Sequence, residues 1–301
     1  MAAEGKLPKV LVTGACGQVG ADLIPLLTPD LQVLAGDLAL VDSLGYDCPC
    51  VQLDITDPGT VCQTVTDWRP DVIVNLVALT NVDQCEREPQ LARRVNVDGV
   101  ENLLMVLPAG GHFIQISTDY IFDGAAGPYR ETDPPNPINQ YGLTKLAAEE
   151  LLIGGTMDWT VIRTNVVFGA SIHTGASFLK WVVDSLRCGQ SIKVVDDQWN
   201  NPTWTVGLAE MIRQAIETRL TGVYNYAGSD YLNRLDFARL IARSFGLAED
   251  LITPISTASL RQIAARPLRG GLVTDRTVAA TGIRAYSLPT ALATIRAQGI
   301  L

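Results

Sequence analysis

Over the first half of the chain, short apolar runs rich in β-branched residues alternate with stretches of helical periodicity. The runs are continuously apolar, so strands built from them need cover on both faces, and the intervening helices supply it. Strands are expected near residues 9–13, 31–36, 51–53, 71–76, 112–117 and 160–163, with helices near 18–27, 58–68, 89–107 and 139–152. Asp57-Pro58 reads as an N-cap followed by a first-turn proline. Beyond Arg163 the alternation fades, then a helix near 206–219 and a strand near 223–226 resume it. The pattern predicts an α/β chain: a doubly wound parallel sheet over 1–164 that the chain rejoins at about 203–227. Residues 165–202 and 228–301 form a smaller substrate-binding region over the mouth of the sheet.

Thr13-Gly14-Ala15-Cys16-Gly17-Gln18-Val19-Gly20 directly follows the first apolar run and opens the first helix. Three glycines alone make a tight turn as readily as a binding loop. Between a strand and a helix they let the backbone approach a pyrophosphate, whose charge then sits at the positive helix N-terminus. Asp37 ends the second run, about 20 residues on, where a carboxylate accepts hydrogen bonds from ribose hydroxyls and repels a 2′-phosphate. This favours NAD, with NADP the second choice. Asp54 and Ile55, after the third run, are placed to flank the adenine. The sheet is therefore read as Rossmann-type, with Gly14, Cys16, Gly17, Gln18, Val19, Gly20 and Asp37 around the cofactor.

Tyr141 and Lys145 begin the helical stretch that follows Pro134-Pro135-Asn136-Pro137, and their i, i+4 spacing puts phenol and ammonium on one helix face. A tyrosine titrates near ~10 in water and becomes a useful acid or base when a nearby cation lowers that value. Lys145 is that cation. Such a pair is common by chance, but here it follows Ser117-Thr118-Asp119 at the C-terminal end of a strand, where sheets of this kind bind ligands. Thr118 is the candidate for polarising a substrate carbonyl, with Ser117 as understudy. Asn96 is a candidate for fixing backbone near the active site through its side-chain amide, or for bending the helix that carries it.

The rest of the composition narrows the partners. The 301 residues are 47 % hydrophobic, enough to bury a substantial core. Six cysteines (Cys16, Cys48, Cys50, Cys62, Cys85, Cys188) and two histidines lack paired metal-ligand spacing, so reduced thiols and no metal site are expected. A net charge of −9 argues against nucleic-acid and anionic-membrane partners. With no secretory leader and no membrane-length apolar run, the expected location is the cytoplasm. A homodimer is compatible with all of this.

Taken together, the motifs resemble the extended short-chain dehydrogenase/reductase family, and within it the dTDP-4-dehydrorhamnose reductase group. The resemblance is carried by the glycine loop, Leu53-Asp54-Ile55-Thr56-Asp57, Val74-Asn75-Leu76-Val77-Ala78-Leu79-Thr80 and Ser117-Thr118-Asp119-Tyr120-Ile121-Phe122-Asp123-Gly124. It continues through Tyr129-Arg130-Glu131-Thr132-Asp133, Asn139 to Lys145, Asp197-Gln198 with Pro202-Thr203, and Arg266-Pro267. It implies an NAD(P)H-dependent reductase of a nucleotide-activated 4-keto-6-deoxy sugar, with Thr118, Tyr141 and Lys145 as the catalytic trio. It further implies cofactor contacts at Val77, Ala78, Thr80 and Asn96, and substrate contacts at Asp119, Tyr120, Asn165 and Val166. Gln198 and Trp204 are expected to wall a nucleotide pocket, and Arg266 to grip the diphosphate through its forked guanidinium.

Two positions depart from the family pattern. Val166 stands where the family carries an aromatic residue beside the sugar, and Ser177 where an asparagine precedes the phenylalanine. Related sugar-nucleotide dehydratases carry a glutamate directly after Thr-Asp, whereas Tyr120 follows Asp119 here; epimerases usually have small residues in place of Thr118-Asp119. A different class also resembles these reductases: the regulatory beta subunit of methionine adenosyltransferase, which would hold the cofactor as a ligand and bind an enzyme.

Overall fold

The structure, a computed structural model, describes residues 7–39, 45–170, 177–299 and 301. The first part of the chain runs through β1 (Lys9–Thr13), α1 (Gln18–Leu27), β2 (Gln32–Asp37), β3 (Cys50–Gln52), α2 (Pro58–Trp68) and β4 (Val72–Asn75). There follow α3 (Val82–Arg87), α4 (Pro89–Arg93), α5 (Gly99–Val106), β5 (His112–Thr118), α6 (Gln140–Ile153) and β6 (Asp158–Thr164). Then come β7 (Val167–Phe168), α7 (Phe178–Arg187), β8 (Ile192–Val195), β9 (Trp199–Asn200), β10 (Thr203–Trp204), α8 (Thr205–Thr218) and β11 (Gly222–Asn225). The remaining elements are β12 (Leu232–Asn233), α9 (Arg234–Phe245), β13 (Ile252–Ile255), α10 (Thr257–Leu260), α11 (Asp275–Thr281) and α12 (Leu288–Gln298).

Seven parallel strands lie in the order β11-β6-β5-β4-β1-β2-β3, the doubly wound Rossmann arrangement. The apolar runs are buried because both faces are covered. Leu23, Ile24, Leu208 and Ile212 from α1 and α8 pack on one face. Val61, Val65, Leu103 and Leu152 from α2, α5 and α6 pack on the other. A further core, with Val182, Val183, Phe237, Ile241 and Ile295, joins α7, α9 and α12 in the C-terminal region.

The strand order reverses between β1 and β4, and sheets of this type open a crevice at that point. Buried polar groups tie its edges together. The Thr13 hydroxyl donates to Asn75 Oδ1 at 2.6 Å, Val77 N donates to the same oxygen at 3.2 Å, and Asn75 Nδ2 donates to Gln115 at 2.9 Å. A strap from the C-terminal region closes the other side: Arg269 N bonds Gly124 O, Tyr129 N bonds Gly271 O, and Val273 N bonds Tyr129 O, all within 3.0 Å.

One element differs from its sequence expectation. The single helix expected over 89–107 is broken between α4 and α5 by a π-helical turn, Arg94–Asp98. Asn96 sits in that turn with no exposed surface. Its Oδ1 accepts from Leu79 N at 2.7 Å, while Nδ2 donates to Leu79 O at 3.2 Å and to the Thr144 hydroxyl at 3.0 Å. The wider turn turns the amide toward those partners, a use to which such bulges are often put.

Candidate active site

Two cavities, of about 520 and 270 Å³, open along the crevice and share Gly14, Gly17, Leu76 and Ala78 as walls. Gly14 holds φ +73°, and a Cβ there would come within 2.9 Å of the Leu76–Val77 backbone, so only glycine lets the loop lie against the end of β4. At the start of α1 the N-cap Gly17 offers no side-chain cap, and the first turn carries no acidic residue. Its amides are left for an anion in the shared wall. This cradle fits a dinucleotide pyrophosphate, and the smaller cavity, lined by Asp37, Asp54, Ile55 and Val77, fits the adenosine end. Asp37 accepts from Cys16 N at 2.9 Å and from Ala39 N at 3.1 Å, so it also holds the glycine loop in shape. Gln18, Val19, Gly20 and Thr80 line the larger cavity; Cys16 lines neither, its amide being committed to Asp37.

Thr118, Tyr141 and Lys145 converge on the larger cavity from β5 and α6. The start of α6 is fixed twice by Asn139, which accepts from Gly142 N at 2.9 Å and donates to Ala265 O at 3.0 Å. Gly142 is required there because a Cβ would collide with the Tyr120 carbonyl. Lys145 Nζ donates to Ile116 O at 2.7 Å. Burial pushes the Tyr141 phenol well above its ordinary value, and a hydrogen bond from Thr118 only partly opposes the rise. Lys145 was expected to lower that value; instead removal from water dominates, and the group that opposes the rise is Thr118. Burial pushes the Lys145 ammonium down to about 8, against the opposing pull of the Glu149 carboxylate.

Behind the trio lies a buried network. Glu149, one helical turn after Lys145, takes a hydrogen bond from the Ser117 hydroxyl and a forked pair from Arg163, whose Nη2 lies 2.7 Å from Oε2. Ser117 also lines the larger cavity, but its hydroxyl donates to Glu149. Asn96 holds the Leu79 backbone and lies off the cavity, which makes it a positioning residue rather than a cofactor contact.

Asp119, Tyr120, Asn165 and Val166 line the larger cavity beyond the trio. Asp119 is buried, accepts from Gly271 N at 3.0 Å, and has its carboxyl raised by burial above the ordinary range. Tyr120 packs edge-on against Tyr141, ring centroids 5.7 Å apart. Val166 holds φ +40°, a costly conformation for a β-branched residue and of a kind that clusters at functional sites.

Three expected substrate contacts lie elsewhere. Arg266 is 9 % exposed at its side chain, ion-paired with Asp83 at 3.0 Å and bonded to Ala264 O at 2.8 Å, so its fork is already filled. Gln198 donates to Thr257 at 2.9 Å, and Trp204 is buried edge-on against Tyr286 with centroids 5.0 Å apart. Both frame the C-terminal region instead of walling the cavity. Sequence reasoning passed over Arg234 and met Phe178 only as the phenylalanine after Ser177; both line the cavity, with the guanidinium 5.1 Å from the Phe178 ring centroid. No local spacing marks Arg234. Glu149 was legible in principle, as the next i+4 position after Lys145.

The family description "RmlD substrate binding domain" matches residues 8–299. The chain is 35 % identical over 268 residues to a dTDP-4-dehydrorhamnose reductase of Streptomyces griseus, covering 86 % of this chain and 84 % of that protein. It is 33 % identical over 283 residues to the spore coat polysaccharide biosynthesis protein SpsK of Bacillus subtilis, covering 92 % and 93 %. Among solved structures, a dTDP-4-dehydrorhamnose reductase from Bacillus anthracis in complex with NADP superposes with a TM-score of 0.87 at 29 % identity, covering 97 % of this chain and 100 % of that one. The motifs, the sheet order and a match spanning nearly the whole chain agree, and the chain belongs to the RmlD substrate-binding-domain family of extended short-chain dehydrogenase/reductases.

Proposed function

We propose that the protein is an NAD(P)H-dependent reductase of a nucleotide-activated keto sugar of the 4-dehydro-6-deoxy type. The observation that carries this reading is a single cavity whose walls include both the glycine loop and Thr118, Tyr141 and Lys145. Relatives named dTDP-4-dehydrorhamnose reductase and dTDP-4-keto-6-deoxy-D-glucose reductase support the substrate class. The reduced nicotinamide supplies the hydride when bound.

The chain's own residues handle position and protons. Gly14, Gly17 and the first turn of α1 receive the pyrophosphate, and Asp37 the ribose. Thr118 hydrogen-bonds the substrate oxygen, and Tyr141 gives that oxygen its proton. A phenol whose proton burial holds in place suits an acid in the reducing direction. The Lys145 ammonium faces the same cavity and steadies the charge left on the phenol. Tyr120 fills the position that a proton-abstracting glutamate takes in sugar dehydratases, and its ring packs edge-on against Tyr141, which favours reduction over elimination.

Turnover of a panel of dTDP- and UDP-linked 4-keto sugars, followed by loss of reduced-nicotinamide absorbance with NADH and with NADPH, tests the reading. The expected result is turnover of at least one keto sugar, with NADH preferred because of the Asp37 carboxylate. A protein that binds cofactor tightly yet consumes none on any member of the panel contradicts the reductase and supports a binding subunit.

A further inference from the structure

Arg234 stands out because, among the described residues, it lines the larger cavity without a carboxylate partner, whereas seven of the chain's eighteen arginines have one. Arg93, Arg130, Arg163, Arg213, Arg219, Arg243 and Arg266 all lie within 4 Å of a carboxylate oxygen. Among the described residues no hydrogen bond or ion pair engages the Arg234 guanidinium, although it lines the larger cavity. What holds it is aromatic. Its Cζ lies 5.1 Å from the Phe178 ring centroid, and Phe178 stacks in turn on Phe237 at 5.4 Å. Arg234 and Phe237 are one turn apart on α9, so the guanidinium rests on a ring that is itself stacked on that same helix.

The surroundings define that partner. Asp119 and Tyr120 act on Arg234 only through longer-range charge, and Asp119 is already engaged by Gly271 N. Desolvation of the guanidinium makes an unpaired state costly, and an oxyanion meeting two N–H groups at once recovers the most. Val166, small where the family has an aromatic ring, lines the same cavity. An approaching ligand is therefore held on this side by a cation on an aromatic platform rather than by stacking on residue 166.

We propose that Arg234 binds an anionic oxygen group of the substrate and so selects it. This rests on the sugar-nucleotide reading above and replaces Arg266 as the anion anchor. Such a group is a phosphate of the diphosphate if the sugar is of the 6-deoxy type, or a carboxylate if the sugar is instead a uronic acid, and two ligands differing at one carbon separate them. UDP-glucose and UDP-glucuronic acid share the diphosphate; only the second carries the carboxylate.

The test is calorimetric binding of dTDP, UDP-glucose and UDP-glucuronic acid to the protein with NAD present, in wild type, Arg234→Gln and Arg234→Lys. Thermal unfolding midpoints within a degree or so of wild type serve as the fold control. Arg234→Gln should weaken binding by about ten- to a hundredfold, the range for losing a charge-assisted hydrogen bond, and Arg234→Lys by less. Equal loss for all three ligands assigns the diphosphate; loss confined to UDP-glucuronic acid assigns the sugar carboxylate. Binding that Arg234→Gln leaves unchanged overturns the role of Arg234 and leaves the reductase reading intact. If none of the ligands binds the wild type, the sugar-nucleotide reading falls, and this inference with it.

Discussion

Tyr141 and Lys145 sit one helical turn apart, yet burial drives their protonation in opposite senses. The neutral form is favoured in each: the phenol keeps its proton and the ammonium tends to lose its own. A proton donor needs the first effect, but stabilising the phenolate left behind needs Lys145 charged. Below about 8 the ammonium persists, and above it the cation is lost. The expected profile of kcat/KM, which reports the free enzyme, therefore falls as pH rises through about 8. A profile flat through that region would mean that the charge on Lys145 is irrelevant to the reaction.

At the level of elements, α6 carries Tyr141, Lys145 and Glu149 on successive turns, and the last of these anchors the helix to the sheet. Glu149 is fully buried and Arg163 nearly so, with Arg163 reaching it from β6 and also donating to Glu131 O at 3.2 Å. Removing one member of such a pair leaves an uncompensated charge out of water, a loss of about 3–5 kcal/mol. Arg163→Met should therefore lose about that much stability in urea unfolding, and a loss well under ~1 kcal/mol would show the pair to be incidental. The spacing of Tyr141 and Lys145 was legible in the sequence because an i, i+4 relation is local. The break between α4 and α5 was legible only as one of two roles open to Asn96, because the partners that turn its amide, the Leu79 backbone and Thr144, are distant in the chain.

Across the whole molecule, legibility follows the same division between local and distant causes. The strands and the glycine loop announced themselves, since continuous apolar runs and a strand-turn-helix glycine pattern need no tertiary partner to be recognised. The wall of the substrate cavity depends on residues far apart in the chain. Arg266 had the right chemistry for a diphosphate, but Asp83, 183 positions earlier, fills its fork. Arg234 drew no notice in the sequence and gains meaning only when α7 brings Phe178 beneath it. Gln198 and Trp204 were read as walls because their motif was recognisable, whereas Thr257 and Tyr286, each more than fifty residues away, draw them into the frame. The alternating elements of the central sheet were thus readable, whereas those of the C-terminal region, α7, α9 and α12 among them, lie where that alternation fades and were not set apart by it.

The proposed chemistry stands or falls on Tyr141. Steady-state reduction of the best keto sugar by Tyr141→Phe, measured beside the cofactor dissociation constant of the same variant, separates proton donation from cofactor binding. The expected result is a kcat lower by the ~10²–10⁴ of general acid catalysis with cofactor affinity essentially unchanged. Near wild-type turnover in Tyr141→Phe would contradict it.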